Sequence, residues 1–266
     1  MFEHFIPSGA FVEHANWPVG ILLATFCAVI LYKILSARRG RDLYIRRIPG
    51  LSAIDEAVGR ATEMGRPIMF TPGYSVLSLS TLQALSVLRH VMLIAAKYRT
   101  RVVIPTADSV VYTIAEEVSK DACSTAGRPE LHQPEDIRFL SDDQFAFAAG
   151  CVGILTREKV ASSLMFGSFQ AEALILSETG YHVGAMQVAG TPGVIQVPFF
   201  IATCDYTIFG DEFYAASAYL SREPTLLGSL VGQDIAKTIL MAMIVTGVVI
   251  ASVLGKDHHW LKLLEM

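Results

Sequence analysis

The sequence predicts an α/β fold: a Rossmann-like three-layer domain with a mostly parallel sheet, flanked by two transmembrane helices. Three observations lead there. Charged residues make up 17% of the chain against 52% hydrophobic ones, where a soluble domain carries about a quarter charged. Two long uncharged runs near the ends account for most of that deficit. Between them, short β-branched runs alternate with longer segments of helical period, the pattern of strands buried on both faces by helices.

The N-terminal tail, residues 1–16, is read as lying outside the membrane. Residues 17–36 form the first span. The stretch from Trp17 to Tyr32 has no charge, and Lys33 is followed by Ile34 and Leu35. Lys33 snorkels to the headgroups, so the span reaches Ser36, and about 20 residues of helix cross a ~30 Å hydrocarbon core. Trp17 and Tyr32 occupy aromatic-belt positions. A cleaved signal peptide would need a basic region ahead of the apolar run. Here Glu3 and Glu13 precede it, whereas Arg38, Arg39, Arg41, Arg46 and Arg47 follow it. The positive-inside rule then puts the N-terminus outside and the middle of the chain in the cytoplasm.

Residues 41–236 are read as the cytoplasmic α/β domain. A helix over Leu51–Gly65 is followed by a strand over Pro67–Thr71 and a helix over Ser75–Tyr98. The next strand is Arg101–Pro105, with a helix over Asp108–Ala126 and a polar loop over Gly127–Glu135. Ile137–Leu140 is a strand and Asp142–Lys159 a helix. Ser163–Phe166, Gly184–Ala189 and part of Phe199–Phe209 are further strands, with helices over Gln170–Thr179 and Asp211–Leu220. Ser221–Ala236 leads into the second span, residues 238–255, which is uncharged between Lys237 and Lys256. Within it, Thr246, Gly247, Ala251 and Ser252 are small enough for close helix approach. Residues 256–266 form an outer C-terminal tail. Its His258 and His259 lack the further ligands that a metal site needs.

The segment from Tyr44 to Pro67, YIRRIPGLSAIDEAVGRATEMGRP, resembles the opening signature of a family of uncharacterised prokaryotic membrane proteins, a domain of unknown function. Phe166–Phe169 with Glu172, and Ile201–Ser221, are also similar to that family, and the resemblance covers roughly 43–255. It implies a membrane-anchored α/β domain, with no assigned activity and no catalytic residues.

In an open parallel sheet, ligands bind beyond the carboxyl ends of the strands. The loops there nominate Thr71, Gly73, Ser75, Gly167, Ser168, Gly190 and Thr191 as ligand-binding residues, because glycine lets backbone approach a ligand and helix N-termini offer free N–H donors. Ordinary turn and capping chemistry explains the same residues. Neither GxGxxG nor GxxxxGK[ST] occurs, no GxSxG elbow is present, and no cofactor is implied. Asp108 reads as a helix cap. Glu172 lies in a helix first turn, where the dipole favours a carboxylate. Asp205 lies in an apolar strand pattern and reads as buried; with Asp211 and Glu212 it is a weak candidate cation group. His90 and His182 read as structural. Cys27, Cys123, Cys151 and Cys204 have no zinc or CxxC spacing and read as reduced, mostly buried thiols. A net charge of −4 gives no global basic field for nucleic acid.

Three functions fit. The first is a membrane-anchored oligomeric scaffold or accessory subunit of a membrane assembly, without catalysis, with the lipid bilayer and either its own copies or other subunits as partners. The aromatics Tyr206, Phe209, Phe213, Tyr214 and Tyr219 supply a candidate contact surface for it. The second is a receptor, and the third an enzyme, for a small anionic or nucleotide-like ligand at the glycine loops. The arginine asymmetry makes a testable expectation. In intact cells, a membrane-impermeant thiol reagent leaves a cysteine placed in the 127–135 loop unlabelled; labelling there would overturn the topology.

Overall fold

The computed structural model describes residues 17–39, 49–221 and 224–254. The tails with Glu13, His258 and His259, and the linker with Arg41, Arg46 and Arg47, lie outside the described residues. The chain divides into two compact units, one of residues 46–222 and one of the flanking segments.

In the flanking unit, α1 spans Trp17–Arg38 and α9 spans Pro224–Leu254. Pro224 suits a first helical position, where its missing N–H costs nothing. The helices pack antiparallel. A Cβ on Gly228 would stand 2.6 Å from the Ile34 Cα, and one on Gly232 would stand 3.0 Å from the Ile30 Cα. The two glycines, four residues apart, let the helix backbones touch. Arg38 donates to Thr225 Oγ1 at 3.4 Å, closing the same end. Close approach therefore uses Gly228 and Gly232, upstream of the small residues noted in the sequence.

The other unit is an all-parallel six-stranded sheet of order β3-β2-β1-β4-β5-β6. The strands are β1 (Ile68–Gly73), β2 (Val102–Thr106), β3 (Ile137–Phe139), β4 (Ser162–Ser168), β5 (Met186–Thr191) and β6 (Tyr206–Phe209). The helices are α2 (Pro49–Met64), α3 (Leu79–Tyr98), α4 (Ser109–Thr125), α5 (Gln144–Glu158), α6 (Glu172–Val183), α7 (Val197–Thr203) and α8 (Asp211–Ser221). Alternate strand residues feed two cores. Ile68, Phe70, Ile104, Leu164, Phe166 and Val188 join residues of α2, α3, α4 and α8 on one face. Met69, Val103, Met165 and Ala189 join residues of α5, α6 and α7 on the other. Both faces are dry, so the strands read as continuous apolar runs.

Side chains set the helix ends. Ser78 accepts from the Thr81 N–H, so α3 begins at Leu79 rather than at Ser75, and Arg99 ends it with φ 57°. Asp108 accepts from the N–H groups of Val110 and Val111, the cap expected for α4. Asp143 does the same for Ala146 at α5.

Three expectations change. Among the described residues three helices, not two, are long and apolar enough to cross a membrane: Gly20–Arg38, Thr225–Val249 and Leu79–Tyr98. The last is α3, whose window is 61% buried; a helix apolar on most sides is also what a sheet core demands. Next, the strand expected within 199–209 occupies Tyr206–Phe209, and Val197–Thr203 ahead of it is a short helix. Pro198 starts α7, and Phe200 packs edge-on to Phe169 with ring centroids 5.5 Å apart. Seven residues are too few to show a helical period, so tertiary packing decided the conformation. Finally, Asp205 is exposed, ahead of β6, where its Oδ2 accepts the Gln187 N–H at 2.8 Å. Asp211 and Glu212 follow the other end of β6, so the strand separates the three carboxylates. No group of three metal-ligating side chains occurs among the described residues.

At the amino edge, Arg101 holds Asp136 and Glu158, and Arg138 Nη2 donates to Glu158 at 2.7 Å. Burial alone would raise the Glu158 pKa. The Arg138 hydrogen bond and the charges of Arg101 and Arg138 outweigh it, and hold the carboxyl below its ordinary value. The unfolded chain thus takes up this proton first. The stability contributed is complete above the unfolded glutamate pKa of about 4.3 and is lost as pH falls through the lower folded value. Denaturant unfolding at stepped acidic pH should show this fall, and Glu158→Gln should flatten it.

Candidate functional site

Parallel strands bring all six carboxyl ends to one edge, and the chain order reverses between β1 and β4. The loops expected to converge do lie along this edge, but their residues are used differently from one another.

Gly73 and Gly167 serve the β1–β4 junction. Their φ angles are +92° and +131°. A Cβ on Gly73 would overlap the Ser168 carbonyl oxygen, and one on Gly167 would overlap that of Pro72. The register shifts between Thr71 and Gly73, and the Tyr74 N–H donates to the Ser168 carbonyl at 2.9 Å. These glycines let two strands meet at a bulge. Gly190 lies within β5 rather than in a loop, and its open side is filled by the Phe166 ring at 2.5 Å and the Phe213 ring at 3.2 Å from an added Cβ. Phe213 is thereby a core residue, while Tyr206, Phe209 and Tyr219 are partly exposed.

The polar candidates form a hydroxyl chain. Ser168 Oγ lies 2.8 Å from Ser80 Oγ, Ser80 lies 2.9 Å from Ser78, and Ser75 and Ser78 lie 3.0 and 2.9 Å from Thr81 Oγ1. Thr191 Oγ1 accepts the Gly193 N–H at 3.2 Å. Thr71 is fully buried, and its Oγ1 has no hydrogen-bond partner among the described residues.

Beside the β1 end lies a cleft of about 330 Å³, lined by Tyr74, Ser75, Asp108, Asp142 and Gln170 together with Val76 and Ala107. Of the seven nominated residues, Ser75 alone lines it. The Tyr74 hydroxyl donates to the Asp142 carbonyl at 2.6 Å and fixes one wall. Asp108, read in the sequence as a helix cap, follows β2, and Gln170, read as the start of a helix, follows β4. Asp142 follows β3, whose short length concealed that its end joins this edge. Reading the first polar residues after every strand would have found all three. Two carboxylates and no Lys or Arg line the cleft, so its field favours a neutral or cationic ligand.

Below the cleft, Glu172 is fully buried. Its Oε1 accepts the Gln170 N–H at 2.7 Å and its Oε2 accepts from Gln144 Nε2. It therefore acts as an anchor for the β4–α6 turn. Burial, with the Glu172 charge nearby, pushes the Cys151 thiol far up, and burial pushes Cys204 up to about 12; neither thiol is poised as a nucleophile. His90 Nε2 lies 3.6 Å from Asp55. Burial lowers its pKa while Asp55 partly restores it, so it is neutral near pH 7.

The geometry defines a class: a parallel α/β protein that also carries a glycine-packed helical hairpin long and apolar enough to cross a membrane. A family model described as a domain of unknown function, DUF6754, matches residues 7–261. The chain belongs to that family. No curated protein and no solved structure matches it.

A large residue at Gly167 reports on the β1–β4 junction rather than on a ligand. Gly167→Ala should lower unfolding stability by about 1–3 kcal/mol from backbone strain alone, more with the clash. Gly59→Ala, inside α2 with open space around it, should instead be neutral or raise stability by up to about 1 kcal/mol. Denaturant titration of the full chain in mild detergent would check the pair.

Proposed function

We propose that the protein is a membrane-anchored scaffold or accessory subunit without catalysis, whose Rossmann-like domain faces the cytoplasm and docks a partner protein on the carboxyl edge of its sheet. In this reading both termini lie outside the membrane, and α1 and α9 are the anchor. The antiparallel pairing of two apolar helices supports the anchor, since a hairpin returns the chain to the side it came from.

The carrying observation is the apolar character of that edge. Val76 and Leu79 after β1, Phe145 after β3, and Val194 and Ile195 after β5 are all more than half exposed. They stand where a ligand-binding sheet would present polar groups, while the Ser80, Ser168 and Thr191 hydroxyls and the nearby glycines are engaged within the chain. Exposed aliphatic and aromatic side chains gathered around one edge are the mark of an interaction surface.

The cleft supports a second reading, a receptor or enzyme for a small ligand at the point where strand order reverses. Its lining favours a neutral or cationic polar ligand over the anionic one suggested by the glycine loops.

Photo-crosslinking in cells separates the two. A photoreactive residue at Val76 or Ile195 should give adducts with a second polypeptide, and one at Tyr98, at the amino edge, should not. Adducts equally frequent at all three positions, or none, would overturn the docking edge. Native mass spectrometry of the full chain releasing a small molecule, lost in Gln170→Leu, would favour the second reading instead.

A further inference from the structure

A second opening lies at the amino edge, at the far end of the strands from the cleft. It sits between the end of α3, the start of β2, the middle of α4 and the short 3₁₀ turns Pro129–Leu131 and Pro134–Asp136. Its volume is about 110 Å³. Met92, Ala96 and Val102 give it apolar lining, and Arg99, Ser119 and Gln133 give it polar lining.

The charges around this cavity do not cancel. Arg101 and Asp136 also line it, but they belong to the network with Glu158 and Arg138, two cations against two anions. Arg99 is left over. No carboxylate among the described residues forms an ion pair with it. Glu130 acts as a charge on Cys123, but it does not line the cavity.

Arg99 also stands on an unusual backbone. Its φ of 57° and ψ of 34° are left-handed, a conformation that strains arginine and not glycine. Its N–H closes α3 on the Ala95 and Ala96 carbonyls, and the Thr100 N–H donates to Ala95 as well. Backbone alone therefore satisfies the helix end, and glycine is the residue best suited to that task. Lys159 ends α5 in the same conformation, and any cation favours a helix C-terminus. That effect accounts for a positive charge but not for a cavity beside it.

We propose that this cavity binds a short-chain monocarboxylate, with the carboxylate on Arg99 and the alkyl chain against Met92, Ala96 and Val102. A guanidinium without a partner matches one carboxylate through two parallel hydrogen bonds, and Gln133 adds an amide donor. Asp136 in the lining repels a second negative charge, which disfavours dicarboxylates and phosphates. Size sets the chain length. A cavity of about 150 Å³ takes benzene, so the smaller space here suits roughly five or six non-hydrogen atoms. This inference depends neither on the anchor reading nor on the use of the carboxyl edge.

Full-length protein in mild detergent tests it, with butyrate, its neutral amide butyramide and inorganic phosphate as probes in ligand-detected NMR. Butyrate should bind, and the other two should bind at least about tenfold more weakly. Arg99→Gly should weaken butyrate about tenfold or more while the melting temperature holds or rises, because glycine relieves the backbone. Cys123 also lines the cavity and gives a variant that keeps Arg99. Cys123→Met should exclude butyrate by filling the space. Absence of butyrate binding, equal binding of butyramide, or unchanged affinity in Arg99→Gly would overturn the site. Full binding in Cys123→Met would place butyrate elsewhere and overturn it too.

Discussion

The contact between β1 and β4 is the constraint on which the α/β unit depends. These strands are the two central members of the sheet, and the chain reaches the second only after building β2 and β3 on the far side of the first. Their register runs Ile68 to Ser162 through Thr71 to Met165, then slips, so that Gly73 meets Ser168. At the slip each backbone occupies the space a neighbouring Cβ would need. Two glycines with positive φ are the solution that L-amino acids allow. Phe70 and Phe166 stack on one side of this junction, with centroids 6.0 Å apart, and Met69 and Met165 lie in the core on the other.

That junction determines what the carboxyl edge can offer. Tyr74 is drawn toward the Ser168 carbonyl, and its hydroxyl reaches the Asp142 carbonyl, which closes the wall of the cleft. Ser168 is held against Ser80 at the start of α3. Small and hydroxyl-bearing residues at a strand end often cradle a phosphate. Here the same residue types are occupied in holding strand to strand and strand to helix. Large apolar side chains are left on the outside of the edge.

The helical hairpin, long and apolar enough to cross a membrane, obeys the same logic. Gly228 and Gly232 join its two helices by admitting the α1 backbone.

Much of the architecture was legible in the sequence. Apolar runs such as the one within Arg101–Pro105 read as strands buried on both sides, and Asp108 announces its helix because capping is chemistry between near neighbours. The uncharged run from Trp17 to Tyr32 is equally local. Features that depend on distant partners were hidden. The short helix over Val197–Thr203 depends on Phe169 lying beside Phe200. Asp205 read as buried until β6 is seen to begin after it, at the sheet edge. Gly73 and Gly167 read as ligand loops because the sequence shows a glycine but not which backbone lies against it. Composition and period thus determined the fold class by themselves, since burial and helix ends are decided within a few residues. Only the tertiary structure decided what the glycines and carboxylates do, since their neighbours, such as Gly73 and Ser168, come from strands almost a hundred residues apart in the chain.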